Sequence, residues 1–558
     1  MVHFFRLVAV ALVAPVLTAA AIATQAAVSL TGLKTTAESS DFKSTSSYDD
    51  VVKFMKTVDA ASPLVFYTTY GKTFEGREMP AAIVASGLKD PTAASFKASG
   101  RLRVHIQGNI HAGEVEGKES ALMLLREFAL GQHADWLRTM VFIVTPIFNA
   151  DGNEKMSPTN RGRQNGPING MGTRHQAQNL NINRDFMKLE TPEAKAFVKL
   201  WNDYDPHVGF DLHTSDGSFH AYHLTYAPPL NPNTSDGIMK LMTDEWFPFV
   251  TKNAKAKHGW DTFYYGNVPG PGRGGRGGQP PASANPAGAP TGAPPVAGPR
   301  TWASFEHVPR FHNSYVGLRN RFALLSEAYS YLPFEDRIKA TRYFVQEALN
   351  FAGQNADRIK KACAAADQET IIGKPLATGA RLRRGGMIEI LMGEVEEEKN
   401  PVSGAMMYRR KEVSKPEQMI DMLWFEPSAT ELAASQYFLP ANATAAVELL
   451  RAHGIQIRKL TQPVDGLEQF VITNNSTRPV QPGSIDFGQH ALRTLEGSWQ
   501  AAPKLTAPAG AYAVSLAQPL GRLAFYLLEP TSDDGLATWN FLDDLLNDVK
   551  TYRIVRKK

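Results

Sequence analysis

The chain has 558 residues, of which 43% are hydrophobic and 20% charged, and this composition and length indicate a globular protein of roughly three to four domain-sized units. Its 59 basic and 55 acidic residues leave a net charge of +4, too small to indicate a nucleic-acid or membrane-surface partner. The single cysteine, Cys363, excludes an intrachain disulfide and any multi-cysteine metal site, so metal chemistry would have to use His, Asp and Glu.

Residues 1–27 predict a secretory signal peptide. Arg6 is the only charged residue, an apolar stretch follows from Leu7, and small residues crowd positions 19–27. The alternative, an uncleaved anchor helix, is disfavoured by Pro15 and by the small-residue end of the segment. We therefore expect an exported protein, periplasmic or secreted, with no stable membrane span after signal removal.

Between residues 46 and 350, helix-like and strand-like segments alternate. The near-continuous apolar run at 140–148 is typical of a strand covered on both faces. This alternation predicts an α/β domain, with a mixed, mostly parallel sheet flanked by helices. The expected helices are 48–58, 120–130 and 341–365, and the expected strands are 101–108, 140–148, 208–212 and 323–325.

Two segments depart from this pattern. Residues 269–299 contain nine Gly, nine Pro and no aromatic residue, which predicts a disordered surface insertion. Residues 375–555 alternate short apolar stretches with Pro, Gly and Asn clusters, which predicts a strand-rich α+β accessory region. Ligand binding, covering of the predicted α/β sheet, oligomerisation and simple packing remain open as its role. Its apolar stretches are 469–473, 511–517 and 522–528, and its helical stretches are 445–453 and 539–549.

Polar residues that suit a metal site follow two of the predicted strands. His111 and Glu114 stand three residues apart after strand 101–108, and imidazole nitrogens and carboxylate oxygens are suitable zinc ligands. Taken alone, this spacing also arises by chance without a metal role. His213 directly follows the stretch 208–212 and could supply a third ligand oriented by Asp211, or it could be a structural histidine.

Two other positions carry side chains that could bind a substrate or take part in catalysis. Arg184 beside Asn183 offers a bidentate guanidinium fork and amide donors that match a carboxylate. The same residues could also belong to a solvated loop without a binding role. Glu327 follows the strand-like residues 323–325. Near a metal its carboxylate could activate water, and elsewhere it would be a surface or ion-paired group.

In this order, these residues resemble the zinc carboxypeptidase family of the carboxypeptidase A type, as a large bacterial exported member. The resemblance covers about residues 46–350. The stretch at 71–80, GKTFEGREMP, is similar to the family's GxSxEGR segment, and Ala150 replaces a proline in the family's NPDG-like turn. The matching elements are His111 and Glu114, the turn Asn149-Ala150-Asp151-Gly152, the pair Asn183-Arg184, His213 and Glu327.

The resemblance implies a zinc carboxypeptidase-like fold and one Zn²⁺ per chain, held by His111, Glu114 and His213. It implies hydrolysis of C-terminal peptide bonds by zinc-activated water, with Glu327 as general base. The substrates would be peptide or protein C-termini, including cell-wall peptides. A zinc-dependent cell-wall peptide amidase of the same fold and an inactive exported binding protein are the alternatives.

Further roles follow from the same resemblance. Arg184, helped by Asn183, would hold the terminal carboxylate of the substrate. Arg161 or Arg163 would stabilise the oxyanion, with Arg161 ranked first and Arg163 as a further substrate-binding candidate. Tyr315 is the best candidate for the family's substrate-binding tyrosine, although it precedes the general base by fewer residues than in the family.

Overall fold

The structure, a computed structural model, describes residues 30–215, 217–269, 299–480, 483–546 and 549–558. The predicted signal peptide, and all but the two end residues of the predicted insertion at 269–299, lie outside these ranges. Within the described residues, no helix is long and apolar enough to cross a membrane.

A sheet of eight strands runs through the part of the chain that precedes residue 330. Its strand order is β1-β2-β4-β3-β5-β9-β6-β7, with β8 outside it. Strands β4, β3, β5 and β9 pair in parallel, whereas β1, β2 and β6 join through antiparallel pairs. The strands are β1 Val65–Lys72, β2 Glu78–Val84, β3 Leu102–Gly108, β4 Met140–Thr145, β5 Val208–Ser215, β6 Leu224–Ala227, β7 Thr262–Tyr264, β8 Thr301–Ala303 and β9 Phe322–Tyr329.

Helices cover both faces of this sheet, which confirms the predicted fold class. One apolar cluster joins α2, α4 and α11 to one face, and a second joins α7 and α10 to the other. The helices are α1 Thr36–Ser39, α2 Tyr48–Ala61, α3 Ala93–Ala98, α4 Glu116–Ala129, α5 Ala134–Thr139, α6 Ala150–Asn153, α7 Pro192–Tyr204, α8 Asp236–Leu241, α9 Phe247–His258, α10 His312–Leu318, α11 Phe334–Gln354 and α12 Ala356–Gln368. The helix expected at 341–365 is therefore two helices, separated at Asn355.

The C-terminal region is rich in strands, as the sequence predicts. It contains a six-stranded sheet and several smaller ones, and one of its strands extends β8 in parallel. Its strands are β10 Pro375–Arg383, β11 Met387–Met392, β12 Val395–Lys399, β13 Met406–Arg410, β14 Lys415–Met422, β15 Trp424–Leu432, β16 Gln436–Leu439, β17 Arg458–Lys459, β18 Leu467–Thr477, β19 Arg493–Ala502, β20 Tyr512–Ser515 and β21 Thr551–Lys557. Its helices are α13 Thr444–Ala452, α14 Gly521–Leu528 and α15 Asp543–Leu546.

The secondary structure of two segments in this region differs from the prediction. The run 522–528 is not a strand but lies in α14, all of whose residues are buried. An uninterrupted apolar run carries neither a helical nor a strand period, so the sequence pattern could not separate the two. The helical stretch expected at 539–549 is reduced to the four residues of α15 and adjacent turns.

The C-terminal region packs directly against the eight-stranded sheet. The apolar cluster that contains α7 and α10 continues through β16, β20 and α14. Tyr315 of α10 and Tyr526 of α14 are both completely buried in it. The region therefore forms part of the hydrophobic core that supports one face of the sheet.

One buried cation ties α11 to the loop around residue 165. Arg337 is fully buried, and its guanidinium donates to the carbonyl oxygens of Asn165 at 2.6 Å, Gly166 at 2.7 Å and Leu332 at 2.8 Å, besides facing the Glu116 carboxylate at 3.4 Å. Arg337→Met removes the guanidinium donors from these carbonyl oxygens and the cation that faces the buried Glu116 carboxylate. We expect it to lower the free energy of unfolding by about 3–5 kcal/mol, measured by urea denaturation.

Lys339→Met on the same helix is the matched control. The Lys339 side chain is 43% exposed and pairs with Glu335 at 2.8 Å, so its removal should change the free energy of unfolding by about 1 kcal/mol or less. Equal destabilisation by the two variants would contradict the role assigned to Arg337.

Candidate metal centre

The fold brings together the three residues that the sequence suggests as metal ligands. His111 and Glu114 lie in the turn between β3 and α4, and His213 lies in β5, the parallel neighbour of β3. All three are buried, and each offers a ligand atom within 4.8 Å of the others. The site therefore forms at the carboxyl ends of adjacent parallel strands, the usual position of ligand sites in such sheets.

Both imidazole rings turn Nδ1 towards the same carboxylate. His111 Nδ1 lies 3.0 Å from Glu114 Oε1, and His213 Nδ1 lies 2.8 Å from Glu114 Oε2. On the outer side, His111 Nε2 lies 3.1 Å from Asn181 Oδ1 and His213 Nε2 lies 2.8 Å from Asp211 Oδ2. These acceptors favour protons on Nε2, so the Nδ1 lone pairs and the carboxylate converge on one point. The donor set and its outer partners fit a zinc ion.

The charges of this group also suit a cation. Burial lowers the pKa of His111 to about 3, so this imidazole is neutral. Burial alone would raise the pKa of Glu114, but the neighbouring His111 and other partners hold it well below its usual range. Burial opposes the charged form of His213 as well, yet Asp211 raises its pKa well above the ordinary value. Glu114 and Asp211 are thus ionised beside the two imidazoles, and a carboxylate with two imidazoles is a suitable donor set for a divalent cation.

Glu327 lies on the strand next to His213. In the parallel pair β5–β9, the two residues are direct register partners. Register partners project to the same face of a sheet, so Glu327 shares the face of His213 and Asp211. Its side chain is only partly buried, unlike those of its neighbours on β9.

The two arginines expected near the site separate in the structure. Arg161 Nη1 lies 3.1 Å from Glu114 Oε1, and its Nη2 donates to the Thr214 carbonyl at 3.4 Å. Arg163, although only two residues away, packs its guanidinium over the ring of Tyr408 at 5.5 Å. The structure gives no support to Arg163 as a substrate-binding residue, because its contacts are with the accessory region.

A third arginine, Arg174, lies at the site but is not among the residues predicted from the sequence. Its Nη1 lies 3.3 Å from His111 Nδ1 and 3.6 Å from Glu114 Oε1, so it borders the metal group directly. It stands nine residues before Asn183, within the same stretch as the other two arginines. Its position between the turn at 149–152 and the pair Asn183-Arg184 is the sequence signal that could have identified it. Nothing in the local sequence favours it over Arg161 or Arg163.

Asn183 and Arg184 lie beside the metal group. Asn183 Nδ2 is 3.5 Å from His213 Nε2, and Arg184 Nη1 donates to the Asn183 carbonyl at 2.7 Å. The Arg184 guanidinium stacks on Phe311 at 3.7 Å from the ring centroid, and burial lowers its pKa to about 10. The carboxylates of Asp486 and Glu306 act on it electrostatically and favour its charged form. A buried guanidinium that packs against an aromatic ring beside the metal group is well placed to bind a carboxylate.

Tyr315 does not reach the site. It is completely buried in α10, its hydroxyl lies 2.9 Å from His453 Nδ1, and Arg319 donates to it at 3.2 Å. We therefore withdraw Tyr315 as a substrate-binding candidate. The aromatic residue at the site is Phe311, against which Phe305 packs at 5.3 Å between ring centroids. An aromatic cluster of this kind gives no local sequence signal.

A mostly parallel sheet with a buried His–Glu–His group at its carboxyl end defines an α/β protein with a candidate metal-binding site. Residues 51–229 match the family model described as zinc carboxypeptidase. Carboxypeptidase 2 of Trichophyton rubrum is 26% identical over 200 residues, 34% of this chain and 34% of that protein. Carboxypeptidase 2 of Trichophyton equinum is 26% identical over 189 residues, 32% of each chain. The chain thus spans about a third of the length of these curated relatives.

Two solved structures were also found to be similar. The metallo-carboxypeptidase from Burkholderia cenocepacia is 16% identical, with a TM-score of 0.38 over 56% of this chain and 70% of that one. The carboxypeptidase A from Helicoverpa armigera is 15% identical, with a TM-score of 0.38 over 59% and 76%. The segment that matches the zinc carboxypeptidase family model contains His111, Glu114 and His213.

Proposed function

We propose that the protein is an exported zinc metallocarboxypeptidase that removes residues from the C-termini of peptides or proteins. The observation that carries this proposal is the buried group of His111, Glu114 and His213, with both Nδ1 atoms facing the carboxylate and Glu327 in register on the next strand. The family match over residues 51–229 supports the same conclusion.

Zinc, when bound, would act as a Lewis acid that polarises the scissile carbonyl and makes water more acidic. Glu327 is the proposed general base, because its carboxylate is only partly buried and lies on the same face of the sheet as His213. It takes a proton from the attacking water and returns that proton to the departing amine. The balance of the reaction is one water consumed and one peptide bond broken.

Arg184 is the proposed clamp for the terminal carboxylate. Its guanidinium is buried against Phe311 beside the metal group, and its planar fork of donors matches the two oxygens of a substrate carboxylate. A single clamp of this kind beside the metal restricts cleavage to the last peptide bond of the substrate. This restriction distinguishes a carboxypeptidase from an endopeptidase.

Export is the remaining element of the proposal. It is supported by the sequence of residues 1–27, where one arginine, an apolar stretch and a small-residue end follow each other. Expression with and without these residues, followed by fractionation of cells and medium, tests it directly.

The test of the activity is digestion of two peptides that differ only at the C-terminus, one with a free carboxylate and one with an amide. We expect stepwise loss of C-terminal residues from the free peptide alone, stopped by a chelator and restored by Zn²⁺, as read by mass spectrometry. Cleavage of cell-wall stem peptides without any cleavage of the linear peptide would indicate an amidase instead. Zinc binding without turnover of either substrate would indicate a binding protein.

The three nearby arginines give a further prediction. Arg161 is engaged by Glu114 and the Thr214 carbonyl, whereas Arg174 makes fewer contacts beside His111, so we assign the oxyanion role to Arg174. Arg174→Ala should lower kcat by about 10²–10³ with a smaller change in KM, as expected for a donor used in the transition state. Steady-state kinetics on the free-carboxylate peptide measures this.

Arg163→Ala is the control in the same stretch of chain. Its guanidinium lies over Tyr408 rather than at the metal group, so kcat should stay near that of the unmodified protein. A large loss of kcat in Arg161→Ala together with an unchanged Arg174→Ala would reverse the assignment.

A further inference from the structure

The C-terminal region reaches the metal centre through the segment 484–490. The Ile485 carbonyl accepts a hydrogen bond from the backbone N–H of Asn181 at 2.8 Å. In the next residue, Asp486 Oδ1 accepts from Asn181 Nδ2 at 2.7 Å. Asn181 is therefore held through both its backbone and its side chain by a segment 305 residues away in sequence.

The hydrogen bonds of Asn181 determine which way its amide points. Its Oδ1 accepts from the backbone N–H of Asn183 at 3.0 Å and lies 3.1 Å from His111 Nε2. A backbone N–H can only donate, so the oxygen must occupy this side and the NH₂ group must face Asp486. The same oxygen then takes the proton of His111 Nε2 and leaves Nδ1 free to act as a metal ligand.

Asp486 also adds negative charge to the surroundings of the site. Its carboxylate interacts electrostatically with Arg184, Arg174 and His111. Burial alone would raise the pKa of Asp486, but Arg184 and the Asn181 hydrogen bond keep it below its usual range, so the group is ionised. An ionised acceptor holds the Asn181 amide more firmly than a neutral one would.

We propose that Asp486 is a positioning residue of the metal centre, supplied by the C-terminal region, which orients His111 through the Asn181 amide. This inference rests on the proposed zinc centre. It gives the accessory region a direct part in building the site, beyond its packing against the sheet. The relay runs from the Asp486 carboxylate through the Asn181 amide to His111 Nε2.

Zinc affinity of the full-length protein, measured by competition with a chromophoric chelator, tests the relay without using activity. Asp486→Ala should weaken zinc binding by about 10–100-fold, the usual effect of losing a partner behind a metal ligand. The absorption spectrum of the Co²⁺-substituted variant should shift as well, because the orientation of His111 changes.

His490→Ala is the matched control. His490 Nε2 pairs with Glu190 Oε1 at 2.8 Å and anchors the same segment without touching Asn181. It should loosen the segment yet leave zinc affinity close to that of the unmodified protein. Equal losses of zinc affinity and of Tm in Asp486→Ala and His490→Ala would overturn the inference, since the segment would then act only through stability.

Exchanging the amide and the carboxylate between positions 181 and 486 supplies a second test that does not depend on truncating a side chain to alanine. Asn181→Asp alone places two carboxylates in contact and should weaken zinc binding. Combined with Asp486→Asn, it restores a carboxylate–amide pair in the opposite order, and zinc affinity should recover to near the original value. Failure of the double variant to bind zinc more tightly than the single one would contradict the relay.

The outcomes separate this inference from the proposed function. If the unmodified protein binds no zinc, the proposed function fails and the relay fails with it. If the unmodified protein and Asp486→Ala bind zinc equally tightly, only the positioning role of Asp486 is lost.

Discussion

Glu327→Gln is expected to lower kcat by about 10²–10⁴ while zinc remains bound. The amide has nearly the same shape as the carboxylate but cannot accept the proton of water. Because Glu327 stands in register with His213 but outside the group of His111, Glu114 and His213, its substitution leaves the three ligand atoms in place. Kinetics on the free-carboxylate peptide and metal analysis of the same sample measure the two quantities together.

Glu335→Gln provides the matched control for this prediction. Glu335 lies in the first turn of α11, and its side chain is 45% exposed beside Lys339, so kcat should not change. A Glu327→Gln variant with unchanged turnover per bound zinc would show that another group serves as the base. Loss of zinc in this variant would instead place Glu327 among the groups that hold the metal.

The positions of the metal residues could be predicted because they follow strands. His111 and Glu114 come directly after β3 and His213 ends the apolar part of β5, so a parallel sheet brings them to one edge. The order of these residues along the chain then made the family resemblance specific. The strands themselves were recognisable from apolar runs, which the buried residues of β4 and β5 illustrate.

The remainder of the site depends on contacts that sequence patterns do not encode. Asp486 meets Asn181 across 305 residues, and no local motif marks either as a partner of the other. Arg174 and Arg163 stand in similar polar surroundings, yet only Arg174 borders His111. Tyr315 is the nearest candidate tyrosine before Glu327 along the chain, and that proximity is uninformative for a residue that packs inside α10.

His213→Ala is expected to lose zinc and peptidase activity together. His213 supplies one of three buried ligand atoms, and a catalytic zinc site usually has only three protein ligands. Asp211→Asn keeps the His213 ligand and changes the side chain whose Oδ2 lies 2.8 Å from His213 Nε2. It should therefore weaken zinc binding by the smaller factor of about 10–100 and lose activity only where zinc is limiting.

The comparison of these two variants tests whether the His–Glu–His group is the zinc site. With excess Zn²⁺, Asp211→Asn should regain activity, whereas His213→Ala should not, because no other ligand replaces the missing imidazole. Metal content after dialysis and activity across a zinc titration provide both measurements. Full zinc occupancy in His213→Ala would mean that the metal binds elsewhere, and the buried group would then have to be explained by the hydrogen bonds that Glu114 and Asp211 make with the two imidazoles.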